Sequence, residues 1–214
     1  MGVPPTGAKR REPLKVAKRR DTLKTAALVL CLLPLAWLAG RLALGGLGAN
    51  PVEAAIRFVG DWALRLLVAT LAVTPVRVVA GWPALARVRR TLGVACFCYA
   101  TLHILLFVGL DQSFSLPDLA VEVVKRKFIT VGMLTFLMLL PLAITSTDAM
   151  VRRLGGRRWR LLHRLAYPAE LAAALHFYMM VKLDWREPLL WGVVLAVLLG
   201  WRLVRAVRPR MVAG

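Results

Sequence analysis

Acid is what this sequence lacks. Asp and Glu number 11 against 30 Lys and Arg, a formal charge of +19 over 214 residues. An excess of that size points first to nucleic acid, but a nucleic-acid binder needs a soluble basic face. Here 59% of the residues are hydrophobic, and the charges sit in clumps between apolar runs. That pattern belongs to a polytopic membrane protein with basic loops, in contact with a bilayer and not with nucleic acid. Cysteine is scarce too, with Cys31, Cys96 and Cys98 all inside apolar runs. On a helix Cys96 and Cys98 point about 200° apart. They form neither a CxxC pair nor a metal clip, and read as small core- or lipid-facing residues. There is no G-x-G-x-x-G after a strand, no P-loop, no long soluble stretch and no internal repeat. No nicotinamide or dehydrogenase domain is therefore expected in this chain.

What is present is a series of apolar runs long enough to span a bilayer, which takes about 20 residues. They lie near 24–44, 57–75, 91–110, 127–145, 161–181 and 188–206. The first follows a basic segment that resembles the start of a secretory signal. No A-x-A cleavage site follows it, so it reads as a membrane helix. The second is the weakest, because Asp61 and Arg65 sit at its start, spaced to pair on one helix face. Residues 1–22 read as a basic, disordered cytoplasmic tail, 23–207 as the transmembrane domain and 208–214 as a C-terminal tail. Most of the 30 Lys and Arg fall in the N-terminal tail, the second and fourth loops and the C-terminus. Those segments hold only Glu12, Asp21 and Asp148 of the acids, whereas the odd-numbered loops hold Glu53, Asp61, Asp111, Asp118, Glu122, Asp184 and Glu187. Basic loops stay in the cytoplasm. The expected fold class is an all-α membrane protein, a six-helix transmembrane bundle with N- and C-termini cytoplasmic.

All three histidines, His103, His163 and His176, lie in expected spans. Ionisable residues inside a membrane usually face the bundle interior. His103 follows Arg90 by 13 residues, and His176 follows His163 by the same 13. Both segments enter from the cytoplasmic side, so His103 and His176 share a depth about 20 Å further out. Two neutral imidazoles facing one another across parallel helices are what a low-spin b-type haem needs. Small residues give a flat macrocycle room, and Ala169, Ala172, Ala173, Ala174, Gly93, Ala95 and Ala100 supply them. His163, near the inner surface, is level with Arg89 or Arg90 and has no histidine partner. Three roles stay open for it: ligand of a second haem with an unusual partner, neighbour of a flavin, or an interfacial residue bound to lipid phosphate or backbone. Arg89, Arg90, Arg158 and Arg164 are candidate partners for a propionate or a flavin phosphate, against the alternative that they only set topology. Glu170 is the one carboxylate deep in a span, and either an arginine or a quinol proton would suit it.

The stretches "LAVTPVR" (71–77), "RVRRTLGVACFCYATLH" (87–103), "PLAITSTDAMVRRLGGRRWRLLHRLAY" (141–167) and "LHFYMMVK" (175–182) resemble the MsrQ (YedZ) family, itself similar to the transmembrane part of ferric reductases. The resemblance runs from about Leu23 to Arg205. It implies a ferric-reductase-like bundle in the bacterial inner membrane that binds haem b, one or two copies, with FMN also associated. His103 and His176 match the family's outer haem ligands, His163 its third histidine, and Arg89 best matches the arginine that replaces a second ligand. The resemblance further implies electron delivery to MsrP, a periplasmic molybdopterin enzyme that reduces methionine sulfoxide in oxidised proteins. The chain would then be the electron-transfer subunit and not the sulfoxide-reducing catalyst. This sequence departs from the family pattern in its extra-basic loop, where Gly156 and Arg157 precede Arg158. Electrons would come from a cytoplasmic flavin reductase or from membrane quinol. The rival readings are a quinol-oxidising b-type cytochrome feeding another acceptor, and a small non-haem transporter. The transporter would need more polar groups at the midplane than are present.

Overall fold

In the computed structural model, backbone is described for residues 11–181 and 184–211, and side chains for 22–181 and 184–207. All regular structure among the described residues is helical. Helix α1 spans Arg11–Ala43 and α2 spans Pro51–Val79. A 3-10 turn at Pro83–Arg87 leads into α3, Val88–Leu106, which passes into a π-helical turn at Phe107–Asp111. Then come α4 (Leu116–Lys125), α5 (Lys127–Ile144) and α6 (Asp148–Leu162), a 3-10 turn at His163–Leu165, α7 (Ala166–Met180) and α8 (Arg186–Met211).

The starts of these helices follow from side-chain chemistry. Asn50 accepts from the Glu53 amide at 3.1 Å, with Pro51 in the first turn, where its missing N–H costs nothing. Ser115 caps α4 through the Asp118 amide, and Thr147 caps α6 through the Met150 amide. At Gly155, α6 is broken into two short helices by a kink with φ 73° and ψ 150°, a conformation open to glycine and strained for other residues.

Among the described residues, five helices are long and apolar enough to cross a membrane: Thr22–Ala43, Pro51–Val79, Pro83–Asp111, Lys127–Ile144 and Arg186–Val207. Leu30, Leu32 and Leu33 on α1, and Leu189, Leu190, Val193 and Val197 on α8, are all more than half exposed. In water such faces would be costly; against acyl chains they are solvated. The chain is an integral membrane protein.

Several sequence expectations are corrected. The segment read as a disordered tail to residue 22 is helical from Arg11, because Lys, Arg, Leu and Ala favour helix and Pro13 lies in the first turn. Residues 1–10 of that tail, and 212–214 of the C-terminal one, lie outside the described residues, and α8 continues to Met211. The fifth run is not one helix. Pro168 has no N–H to offer the Arg164 carbonyl, and the chain passes through the 3-10 turn before α7 begins. His163 and His176 are therefore not on one helix. Asp61 and Arg65 close no ion pair within 4 Å; the Arg65 guanidinium lies over the Trp62 ring at 5.4 Å. Helices α4 and α6 occupy segments read as loops.

The bundle is organised by two pairs, α2 with α3 and α5 with α7, joined by contacts between α3 and α5. Helix α1 packs on α3, where the Tyr99 hydroxyl donates to the Cys31 carbonyl at 2.7 Å. Helix α8 covers α7 and α2, with Leu195 set among Leu64, Val68 and Leu71. The core between the pairs contains Val59, Leu67, Cys96, Leu139 and Ala169.

Candidate functional site

Two histidines meet inside this core. His103, in the last turns of α3, and His176, near the end of α7, have ring centroids 6.3 Å apart and planes crossed at 81°. Each ring is held from behind. His103 Nδ1 lies 2.9 Å from the carbonyl of Ile56 on α2, and His176 Nδ1 lies 2.7 Å from the carbonyl of Phe128 on α5. A carbonyl can only accept, so Nδ1 carries the proton in both rings and Nε2 keeps its lone pair.

This arrangement fits a metal ion held between two imidazoles. A metal–imidazole bond is about 2.0 Å and the bonded nitrogen lies ~1.2 Å from its ring centre, so opposed ligands have centroids about 6.4 Å apart. A ligating histidine also normally donates its other N–H to a carbonyl or carboxylate. Around the pair lies an apolar cavity walled by α2, α3, α5 and α7, with Phe107, Met133, Phe136 and Met180 in its lining and Asp61 as its charged member. Ala100 and Ala173 also line it, whereas Ala169 is fully buried in the helix packing and Gly93 faces Thr70. Sequence reasoning passed over Gly60 and Gly132, on which the two rings rest. The signal available was a glycine inside an apolar helix, which costs stability unless packing requires it.

The third histidine is placed differently. The His163 ring is stacked on Trp159, centroids 3.9 Å apart, and its Nε2 lies 3.1 Å from the Thr145 hydroxyl oxygen. The Trp159 indole N–H donates to the Thr145 carbonyl at 2.8 Å. Arg89 and Arg90 are close enough to act electrostatically on the imidazole. Both arginines are exposed, and Arg90 pairs with Asp148 at 2.6 Å. Arg158 and Arg164 are exposed and join no ion pair among the described residues. Arg89 and Arg90 are thus cations whose charge reaches His163, while Arg158 and Arg164 stay on the surface nearby in the chain. Glu170 lies between the levels, 1% exposed, and neither carboxylate oxygen has a hydrogen-bond partner. Arg202, one of the cations acting on it, donates to the carbonyls of Leu71 and Leu198 and also bonds to Tyr167.

The chain matches the family of ferric reductase like transmembrane components over residues 59–174, a range that holds His103 and His163. Within that class the likeness is narrower. A Rhodospirillum rubrum protein described as the haem-binding subunit MsrQ of protein-methionine-sulfoxide reductase is 51% identical over 91% of this chain and 94% of its own length. The proteins of the same description from Caulobacter vibrioides and Azospira oryzae are 44% and 43% identical, over 91% and 89% of this chain and 93% and 82% of their own lengths. This chain belongs to the MsrQ family.

Proposed function

We propose that the chain binds haem b between His103 and His176 and serves as the electron-carrying membrane subunit of a protein-methionine-sulfoxide reductase. The catalyst it supplies is a periplasmic molybdopterin enzyme of the MsrP kind. The observation that carries this reading is the pair of opposed imidazoles, 6.3 Å apart, each protonated on Nδ1 by its carbonyl contact. Haem bound there supplies one-electron chemistry. The protein's part is to orient both rings, to hold the lone pairs toward one point and to exclude water with aromatic and Met side chains. The family relatives, by their description haem-binding subunits of such a reductase, support the same assignment.

In this reading the chain crosses the bacterial inner membrane six times, with both termini cytoplasmic. The sixth crossing is α7. Its 15 residues and the preceding 3-10 turn together rise about 28 Å, close to the thickness of the hydrocarbon core. The largest basic clumps then lie on one side, with Lys125, Arg126 and Lys127 on the other. Reporter fusions after Gly48, Ser113 and Asp184 should read as periplasmic, and fusions after Gly81 and Gly155 as cytoplasmic.

The inner level receives electrons from a cytoplasmic flavin reductase or from quinol. His163 with Arg89 and Arg90 forms an anion-accepting cofactor site there, and Arg158 and Arg164 complete its basic rim. A haem propionate and an FMN phosphate share this chemistry. Haem and flavin are counted per chain in wild type and in the His163→Ala and Arg89→Ala variants. A loss of haem identifies the first occupant, a loss of flavin the second, and no loss of either removes the inner cofactor site.

The main test is the reduced-minus-oxidised spectrum of detergent-purified protein. His103→Ala and His176→Ala should each abolish the principal low-spin signal, and His163→Ala should keep it. A signal retained in both of the first two variants would overturn the ligand assignment.

A further inference from the structure

The two histidine seats are built alike. On α2, a Cβ added at Gly60 would stand 2.8 Å from both Cε1 and Nδ1 of His103. On α5, a Cβ at Gly132 would stand 2.9 Å from the same two atoms of His176. Real Cβ atoms essentially never come within 3.0 Å of such neighbours. The carbonyl that accepts from Nδ1 belongs, in each seat, to the residue four positions before the glycine: Ile56 before Gly60, Phe128 before Gly132. Four residues are one helical turn, so glycine and carbonyl lie on one face and form a single notch. Gly109, in the π-helical turn, would meet the Phe114 ring at 2.9 Å, and Gly156 the Arg160 guanidinium at 3.1 Å, but no other helical glycine among the described residues seats a histidine. Gly40, Gly192 and Gly200 would meet nothing within 4 Å, and Gly93 would meet only Thr70 at 3.7 Å.

The notch has a physical consequence. For Nδ1 to reach a backbone carbonyl already inside a helix, the imidazole edge must lie against the helix itself. Any side chain one turn further along would hold it off. The missing Cβ therefore permits the hydrogen bond, and the bond determines which nitrogen keeps its lone pair and how the ring is turned. Two such notches on different helices hold the rings with their planes crossed at 81°.

We propose that Gly60 and Gly132 are positioning residues for the axial ligands, setting the plane and the donor strength of His103 and His176. This rests on the reading of those histidines as haem ligands. An Nδ1–H donated to a carbonyl makes the imidazole a stronger donor, which favours the ferric state. Crossed axial planes give low-spin ferric iron a magnetic anisotropy that changes as either ring is turned.

The test compares Gly60→Ala, Gly132→Ala and the control Gly93→Ala by electron paramagnetic resonance and potentiometric titration of the haem-loaded protein. Each of the first two should shift the low-field resonance and raise the midpoint potential. A tenfold relative loss of ferric stabilisation, the low end for a lost outer-shell partner, corresponds to about 59 mV for a one-electron couple. Gly93→Ala should change neither. A second measurement covers the case in which the alanine variants bind no haem. Gly60→Ala is made in a His103→Ala background, and Gly132→Ala in a His176→Ala background, and thermal midpoints are compared. With the ring gone the added methyl meets open space, so the cost of the alanine should disappear. An unchanged resonance and potential in both haem-loaded variants, or an alanine cost that persists without the ring, would overturn the proposal. Wild-type protein with no low-spin haem signal would instead sink the ligand reading beneath it.

Discussion

Trp159 and His163 lie face to face, their ring planes 27° apart, while the Trp159 indole N–H donates to the Thr145 carbonyl at 2.8 Å. One side chain thus contributes a stack and a hydrogen bond. The aromatic pair is worth about 0.5–1.5 kcal/mol and the bond about 1 kcal/mol. Trp159→Ala should lower thermal stability by about 2–3 kcal/mol, once the lost packing is included. Trp159→Phe should keep the stack and lose about 1 kcal/mol. Neither change touches the cavity at His103 and His176, so the principal low-spin absorption assigned to that pair should be unaltered. Equal losses in the two variants would show that the ring stack contributes nothing.

Tyr99, 3% exposed, ties α3 to α1 through its hydroxyl and the Cys31 carbonyl. The same phenol oxygen is reached by the backbone N–H of Leu35, one turn along α1. Tyr99→Phe removes both contacts and should cost about 1–3 kcal/mol, read as a lower melting temperature in detergent. Replacement by Leu adds a packing defect and should cost about 2–4 kcal/mol.

How far the sequence reaches can be judged at particular residues. His103 and His176 were legible because a 13-residue offset from a basic helix start places both at one depth, and ionisable groups in lipid turn inward. Their rings do face one another across the core. Placing His163 and His176 on a single helix failed at Pro168, whose effect on the preceding carbonyl was readable but was outweighed by the unbroken apolar run. Helix α6 had its cap residue, Thr147, in plain view, yet its many arginines concealed the helix. Gly60 and Gly132 were illegible for another reason. A glycine in an apolar stretch does not disclose what packs against it, because the partner comes from a helix more than 40 residues away.

Asp148 and Arg90 form the ion pair that links α6 to the start of α3, at 2.6 Å. The Arg90 guanidinium, by hydrogen bond and by charge, holds the Asp148 carboxyl below its ordinary value. A depressed folded-state value means that the pair contributes above the unfolded carboxyl range, and that the contribution fades as pH falls through the folded value. The carboxylate is exposed, so the effect is small and screened. Asp148→Asn should be slightly less stable than wild type at neutral pH and low salt. The two should converge as pH drops below the carboxylate range, and also in about 1 M salt at neutral pH. A difference that persists in high salt would mean that Asp148 acts through the α6 helix start and not through Arg90.

Glu170 offers the sharpest separation of stability from function. It is 1% exposed, neither oxygen is hydrogen-bonded, and among the described residues no cation closes an ion pair with it. Burying a carboxyl group without partners is costly, and an apolar residue of similar size is often neutral or better by about 1–4 kcal/mol. Glu170→Met keeps the length and removes both oxygens, so it should melt at or above the wild-type temperature. Glu170→Ala leaves a void in the packing around α7 and should lose about 2–4 kcal/mol. A group retained against its own stability cost is retained for what it does. The Met variant should therefore be robust yet deliver electrons more slowly, measured as the rate at which dithionite-reduced protein in vesicles is reoxidised by an external acceptor. A Met variant that is less stable than wild type would show that the carboxyl has a partner and is structural, and one that is both stable and fast would leave Glu170 without a functional role.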